Sequence, residues 1–291
     1  MRTINAPNAE LSRALRKFKA ILEQDTFYGV LNHTAAFAYV KGRCTVDAVK
    51  RHQKNESKWF AKFDIHDFFG STTKDFVLSM FRQVYPLSSA MRDLNTVELI
   101  RWFVDLAFLN GGLPQGTPVS PTITNIMMVP FDAIFSKWCR EHNYVYTRYA
   151  DDMIVSSRYG FDFHEVENKI VEILRSLGAP FELNTNKTRY GSSKGKNWNL
   201  GVMLNDQNQI TVGHKNKRRF QSMLYNYATA KLSGTPWSLN EVQVLAGLRS
   251  YYTMIEGETI DNLVHNMSAK LHCDISAMIK YDLASPGETP L

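Results

Sequence analysis

Two adjacent carboxylates, Asp151 and Asp152, stand between two apolar runs, Tyr144-Val145-Tyr146 before them and Met153-Ile154-Val155 after them. Aromatic and β-branched residues on both sides of a short polar link predict two antiparallel strands joined by a tight turn, with the acids at its tip. Neighbouring acids crowd negative charge, and a bound divalent cation is the usual compensation. An ordinary solvated turn satisfies the same pattern. The pair alone therefore does not separate a metal site from a surface hairpin, and the decision rests on the rest of the chain.

The chain has 291 residues, enough for one large domain or two ordinary ones. A hydrophobic content of 44% with 21% charged residues excludes a disordered chain. There are 34 Lys and Arg against 28 Asp and Glu, a formal charge of +6, which permits a polyanionic partner without demanding one. Cys44, Cys139 and Cys273 are far apart and lack zinc-type spacing, so three reduced thiols in a reducing compartment are expected. No apolar run approaches the ~20 residues of a membrane span, and no leader-like stretch opens the chain. A soluble, cytoplasmic protein without a membrane partner is expected.

Leu11, Leu15, Phe18 and Leu22 recur at helical spacing near the N-terminus. Residues 28–56 mix aromatics with Lys41, Arg43, Lys50, Arg51 and Lys54, a pattern that suits a nucleic-acid surface and a solvated helix face alike. Trp59-Phe-Ala-Lys-Phe-Asp64 alternates as a strand ending on an acid, where a strand usually presents functional residues. Residues 74–109 read as helix with a break at Pro86. Asn110 to Pro121 holds three Gly and three Pro in twelve residues and is a loop, followed by one helix over Thr122–Arg140. A further amphipathic helix is expected over 162–177, and a hairpin-like pair over Trp198–Leu204 and Gln209–Val212. From Gly213 the pattern turns helical, so a boundary falls between residues 212 and 213.

Asp64, the Gln115 loop and the Asp151-Asp152 turn stand in a fixed order. If the fold brings the acids together, they can hold two Mg²⁺ ions for in-line phosphoryl displacement. That order, with Arg2-Thr-Ile, Phe63-Asp64-Ile65-His66-Asp67-Phe68-Phe69, Leu113-Pro114-Gln115-Gly116-Thr117-Pro118 and Tyr149-Ala150-Asp151-Asp152, resembles a reverse transcriptase. Within that family it is similar to the bacterial retron and group II intron branch. Asn186-Lys187-Thr188 and Leu200-Gly201-Val202-Met203-Leu204 resemble the family's next two motifs.

The resemblance implies an α+β right-hand polymerase with abbreviated fingers, an antiparallel palm sheet and a helical thumb. Fingers and palm would occupy 1–212 and the thumb 213–291. It implies that Asp64, Asp151 and Asp152 bind two Mg²⁺ ions, with Mn²⁺ as a substitute and Asp152 the less direct ligand. Lys187 would protonate the leaving pyrophosphate, although an exposed surface lysine fits the same position. Arg2, Ile65, Phe69, Gln115 and Gly116 would bind the incoming nucleotide. The Phe69 ring would reject a 2′-hydroxyl, and a core aromatic after a strand is its plainer reading. Trp198 and Gly201 would grip the primer end. Lys215, Lys217, Arg218 and Arg219 would hold the duplex backbone, a salt-dependent and sequence-blind contact.

Some residues depart from the pattern. A single residue precedes the Arg2 motif, where retron enzymes carry tens, so abbreviated fingers or completion by an effector protein or oligomer is expected. Asn199-Leu200-Gly201 replaces the valine-threonine-glycine common in retron thumbs. A nuclease or integrase domain after the thumb is not expected. The expected activity is RNA-templated DNA synthesis from dNTPs, copying a dedicated non-coding RNA into a DNA product in bacterial antiviral defence. Protein-primed or template-independent DNA synthesis, or a non-catalytic RNA-binding scaffold, are the alternatives.

Overall fold

The structure is a computed structural model that describes residues 4–24, 31–192 and 201–284. The chain divides into two compact units, Met1–Ser193 and Lys194–Leu291. The division falls before the 212/213 boundary expected from the sequence. The reason is packing: Val212 belongs to the core of the second unit, and Thr211 and Val212 both hydrogen-bond Glu256 there.

In the first unit, β1 (Trp59–Asp64), β2 (Val145–Tyr149), β3 (Asp152–Ser157) and β4 (Arg189–Ser192) form an antiparallel sheet of order β2-β3-β1-β4 among the described residues. The two acidic runs are thus neighbours in the sheet, and Asp64 lies opposite Asp152 in the β1–β3 register. Strand β1 is buried on both sides rather than on one, because helices cover the sheet. One face of β2 meets the helix Val129–Glu141, where Tyr146 stacks edge-on against Phe135 at 4.7 Å. The other face meets the helix Thr45–Lys54, whose buried His52 bonds Thr147 and Ser156 at 2.8 and 2.6 Å.

The N-terminal helix spans Ala9–Leu22 and buries Leu15, Phe18 and Leu22, the row set by its spacing. The stretch 74–109 holds helices Lys74–Phe81, Leu87–Ala90 and Leu94–Ala107. The expected single helix over Thr122–Arg140 is two, Ser120–Met127 and Val129–Glu141. Pro130 causes the break: it has no N–H to give to the preceding turn, and it sits in the first turn of the second helix, where none is needed. The helix Phe163–Ser176 is capped by the Asp162 carboxylate, which accepts from the His164 amide.

In the second unit a short ribbon, β5 (Met203–Leu204) with β6 (Ile210–Thr211), leads into helices His214–Leu232, Leu239–Lys270 and Ile275–Ala284. Phe220, Leu224, Leu245, Ile260 and Ile275 build its core. The long helix breaks at Glu256 (φ −139°, ψ 58°), next to Gly257. The Glu256 carboxylate there accepts from Thr211 Oγ1, the Val212 amide and Lys217 Nζ at 2.9, 2.8 and 2.7 Å. Among the described residues no helix is long and apolar enough to cross a membrane.

Candidate active site

The hairpin tip is a two-residue turn. β2 ends at Tyr149 and β3 begins at Asp152, paired with it, leaving Ala150 and Asp151 to reverse the chain. Ala150 adopts φ +57°, a left-handed conformation that costs an L-residue about 1–2 kcal/mol. Asp151 lines a cleft of about 610 Å³. The Ile65 amide, one residue past β1, donates to the Asp151 carbonyl at 3.3 Å, joining the two acidic chain ends.

The three acids do not share one environment. Asp64, 4% exposed, takes the Lys187 ammonium at 3.1 and 3.0 Å on its two oxygens. Lys187 follows Asn184, whose amide donates to the Asp64 carbonyl at 2.8 Å. Asp152 takes the Lys62 ammonium at 2.6 Å, both side chains largely buried. Opposed like charges on neighbouring strands are destabilising, and here each acid has its own cation. Asp151 and Lys187 line the cleft; Asp64, Lys62 and Asp152 do not.

Among the described residues, no three His, Cys, Asp or Glu side chains are grouped as a metal cage. The donor chemistry nevertheless fits Mg²⁺. That ion is typically held by one or two carboxylates with substrate phosphates and waters completing its shell. Asp64 and Asp151, oxygen donors on adjoining chain ends, provide such a pair.

The same cleft is lined by the residues expected to bind the nucleotide. Phe69 sits in the short helix Phe68–Ser71, half-buried, its ring edge-on to Phe68 at 5.6 Å. Its carbonyl accepts from the Leu113 amide at 2.9 Å, which fastens the Gln115 loop to it. A Cβ on Gly112 would overlap the Gly70 carbonyl, so glycine is what lets the loop approach this closely. The Gln115 carbonyl in turn accepts from the Asn5 amide at 2.9 Å. Gly116 has φ +102°, and a Cβ there would lie 2.6 Å from the Ile4 side chain. Phe69, Gln115, Gly116, Ile65, Asp151 and Lys187 all line one cleft. Arg2 lies outside the described residues, two positions before Ile4 of the same wall.

Within the second unit, Trp198 lies outside the described residues and Gly201 takes φ +96° beside Tyr251. Lys215, Arg218 and Arg219 are exposed on the helix His214–Leu232. Lys217 is half-buried and paired with Glu256 at 2.7 Å, so its charge is already matched.

Three features escaped the sequence reading. Tyr39 lines the cleft, 52% exposed at φ +59°, in a loop whose neighbours Phe37, Ala38 and Val40 are buried. Lys62 pairs with Asp152. Arg148 and Asp132, both 0% exposed, form a two-pronged ion pair, Nε to Oδ1 at 2.9 Å and Nη2 to Oδ2 at 2.7 Å. Burial works against the Arg148 charge, but Asp132 outweighs it and raises the pKa. Burial, reinforced by Asp132, pushes the Tyr146 phenol well up. The only local signal for the pair was an arginine inside a strand-like run.

The reverse transcriptase (RNA-dependent DNA polymerase) family profile matches residues 1–204. The chain is 29% identical to the retron Ec83 reverse transcriptase of Escherichia coli, over 90% of this chain and 81% of that one. It is 27% identical to the Escherichia coli retron Ec73 reverse transcriptase, over 67% of this chain and 61% of the other. With the retron Mx65 reverse transcriptase of Myxococcus xanthus, identity is 25% over 90% of this chain and 60% of that enzyme. Among solved structures, apo telomerase from Candida tropicalis aligns with a TM-score of 0.50 at 11% identity, over 90% of this chain and 51% of that one. That likeness concerns the fold, a right-hand polymerase of mixed helix and antiparallel sheet. The chain belongs to the reverse transcriptase (RNA-dependent DNA polymerase) family, within which it is similar to the retron enzymes.

Proposed function

We propose that this chain copies an RNA template into DNA, adding dNTPs to a primer 3′-hydroxyl at the cleft lined by Asp151 and Lys187. One observation carries the reading: Asp151, Lys187, Phe69 and Gln115 line a single cleft, with Asp64 directly beneath Lys187. Asp64 and Asp151 would hold two Mg²⁺ ions, with Mn²⁺ able to replace them. Bound there, the ions would activate the 3′-hydroxyl and neutralise charge on the departing pyrophosphate. Asp152 supports the pair from outside the cleft through its position opposite Asp64.

The chain's own groups do the rest. Phe69 stands under the incoming sugar and excludes a 2′-hydroxyl. Gln115 and the Gly116 backbone, with Ile65, shape the nucleotide seat, and Arg2 adds a guanidinium for the triphosphate. Lys187, half exposed on the cleft wall, is available to protonate the leaving pyrophosphate. Fingers and palm precede residue 213 and a helical thumb follows, with Lys215, Lys217, Arg218 and Arg219 on its first helix. Lys217 serves there through Glu256. Trp198 and Gly201 grip the primer end. Similarity to retron enzymes supports a cognate non-coding RNA as template, and a cytoplasmic role in antiviral defence follows from that reading alone.

The test is incubation of the purified chain with poly(rA) primed by oligo(dT), labelled dTTP and Mg²⁺, with sequencing of co-purified nucleic acid. Primer extension and one recurrent RNA are expected. No incorporation with Mg²⁺ or Mn²⁺, on this template or on co-purified RNA, overturns the reading.

A further inference from the structure

Arg148 lies on β2, 0% exposed, and does not reach the cleft. A buried guanidinium loses its hydration, and Asp132 offsets that loss with both oxygens. Stability alone does not explain such a pair, because apolar residues of similar volume often serve a core equally well or better. A guanidinium can do one thing a hydrocarbon cannot: donate several hydrogen bonds in a fixed plane. With Nε and Nη2 committed to Asp132, Nη1 donates to the Ala150 carbonyl at 3.1 Å and to Asn125 Oδ1 at 3.3 Å.

Ala150 is the left-handed residue immediately before Asp151. The two peptides at the tip are therefore both gripped, the Ala150 carbonyl by Arg148 and the Asp151 carbonyl by the Ile65 amide. The same cluster holds the opposite side. The Arg148 amide donates to the Ala35 carbonyl at 2.7 Å, and its carbonyl accepts from the Phe37 amide at 2.9 Å. Asn125 Nδ2 donates to the Ala38 carbonyl at 2.8 Å, just before Tyr39, a left-handed residue that lines the cleft.

We infer that Arg148, locked by Asp132, is a positioning residue for DNA synthesis: it fixes the turn at Ala150 that aims Asp151 into the cleft. The inference rests on the polymerase reading above and extends it to a residue that touches no substrate.

The experiment separates positioning from structural support. The triple variant Tyr146→Phe, Asp132→Leu, Arg148→Met replaces the network by apolar groups and leaves no buried charge unpaired. Arg148→Lys keeps the charge but loses the fork. Both full-length variants are compared with wild type and with Asp151→Asn on poly(rA)/oligo(dT) with dTTP. Thermal unfolding and equilibrium dTTP binding to the primed complex are measured alongside. A wild type that extends the primer and an inactive Asp151→Asn establish the polymerase reading independently. The inference then predicts that variants still folded at the assay temperature lose about a hundredfold in kcat, with dTTP binding within about threefold of wild type. Should the triple variant not fold, Arg148→Lys decides by the same criterion. A folded variant with wild-type kcat overturns the inference.

Discussion

Lys187 holds its ammonium 3.0 and 3.1 Å from the two oxygens of Asp64, itself half exposed on the cleft wall while Asp64 is buried beneath. Asp152, directly opposite Asp64 on β3, is served by a different cation, Lys62. The pairing gives Asp64 and Asp152 different surroundings. Asp151 lines the cleft and Asp64 is tied to its wall through Lys187, whereas the cation of Asp152 lies outside it.

Replacing Lys187 by Met removes the cation at Asp64 and, with it, the proposed proton donor to the pyrophosphate. A general acid typically contributes 10²- to 10⁴-fold. The expected result is a fall in kcat of about a hundredfold or more, with a smaller change in KM for the dNTP. Steady-state single-nucleotide extension measures it, and an unchanged kcat would remove Lys187 from the reaction.

Phe69→Val shortens the half-buried ring on the cleft wall and leaves the backbone bond to Leu113 in place. Discrimination between dNTP and rNTP, the ratio of their kcat/KM values, should fall by about tenfold or more. The loss should come from faster rNTP incorporation, with dNTP incorporation little altered. An unchanged ratio would assign Phe69 to packing against Phe68.

His52 makes stability depend on pH. Burial, with a further push from Arg51, lowers its pKa to about 3, against 6.5 ordinarily. As pH falls below about 6.5, the unfolded chain binds this proton first, so stability is lost progressively from there towards pH 3. The slope from this group reaches at most about 1.4 kcal/mol per pH unit. Urea unfolding of wild type and His52→Gln across that window should give a difference curve of that sign, whatever the variant's stability at neutral pH. Parallel curves would show that His52 is not held neutral.

How much of this was legible in the sequence depended on the range of the interaction. Strand β1 ending on Asp64, the hairpin of β2 and β3 and the glycine-rich Gln115 loop follow from local patterning and turn chemistry. The break at Met128 was lost because the apolar periodicity of 122–140 runs through Pro130, although that residue carried the signal. The earlier domain division depends on Glu256 reaching back to Thr211 and Val212, a tertiary contact without a local mark. The same holds for Arg148 with Asp132 and Lys62 with Asp152. Such ion pairs join residues that only the folded sheet brings together. Tyr39 escaped because a tyrosine in a left-handed turn contradicts its own backbone preference and is fixed by the buried loop around it.

Asp64 and Asp151 are proposed to carry the reaction, with Asp152 in support. The most direct measurement of this is primer extension on poly(rA)/oligo(dT) by Asp64→Asn, Asp151→Asn and Asp152→Asn, each shown to be folded by thermal unfolding. Asp64→Asn and Asp151→Asn are each expected to lose at least about a thousandfold in kcat, roughly 4 kcal/mol of transition-state stabilisation, while Asp152→Asn retains measurable synthesis. Full activity in folded Asp64→Asn or Asp151→Asn would contradict this.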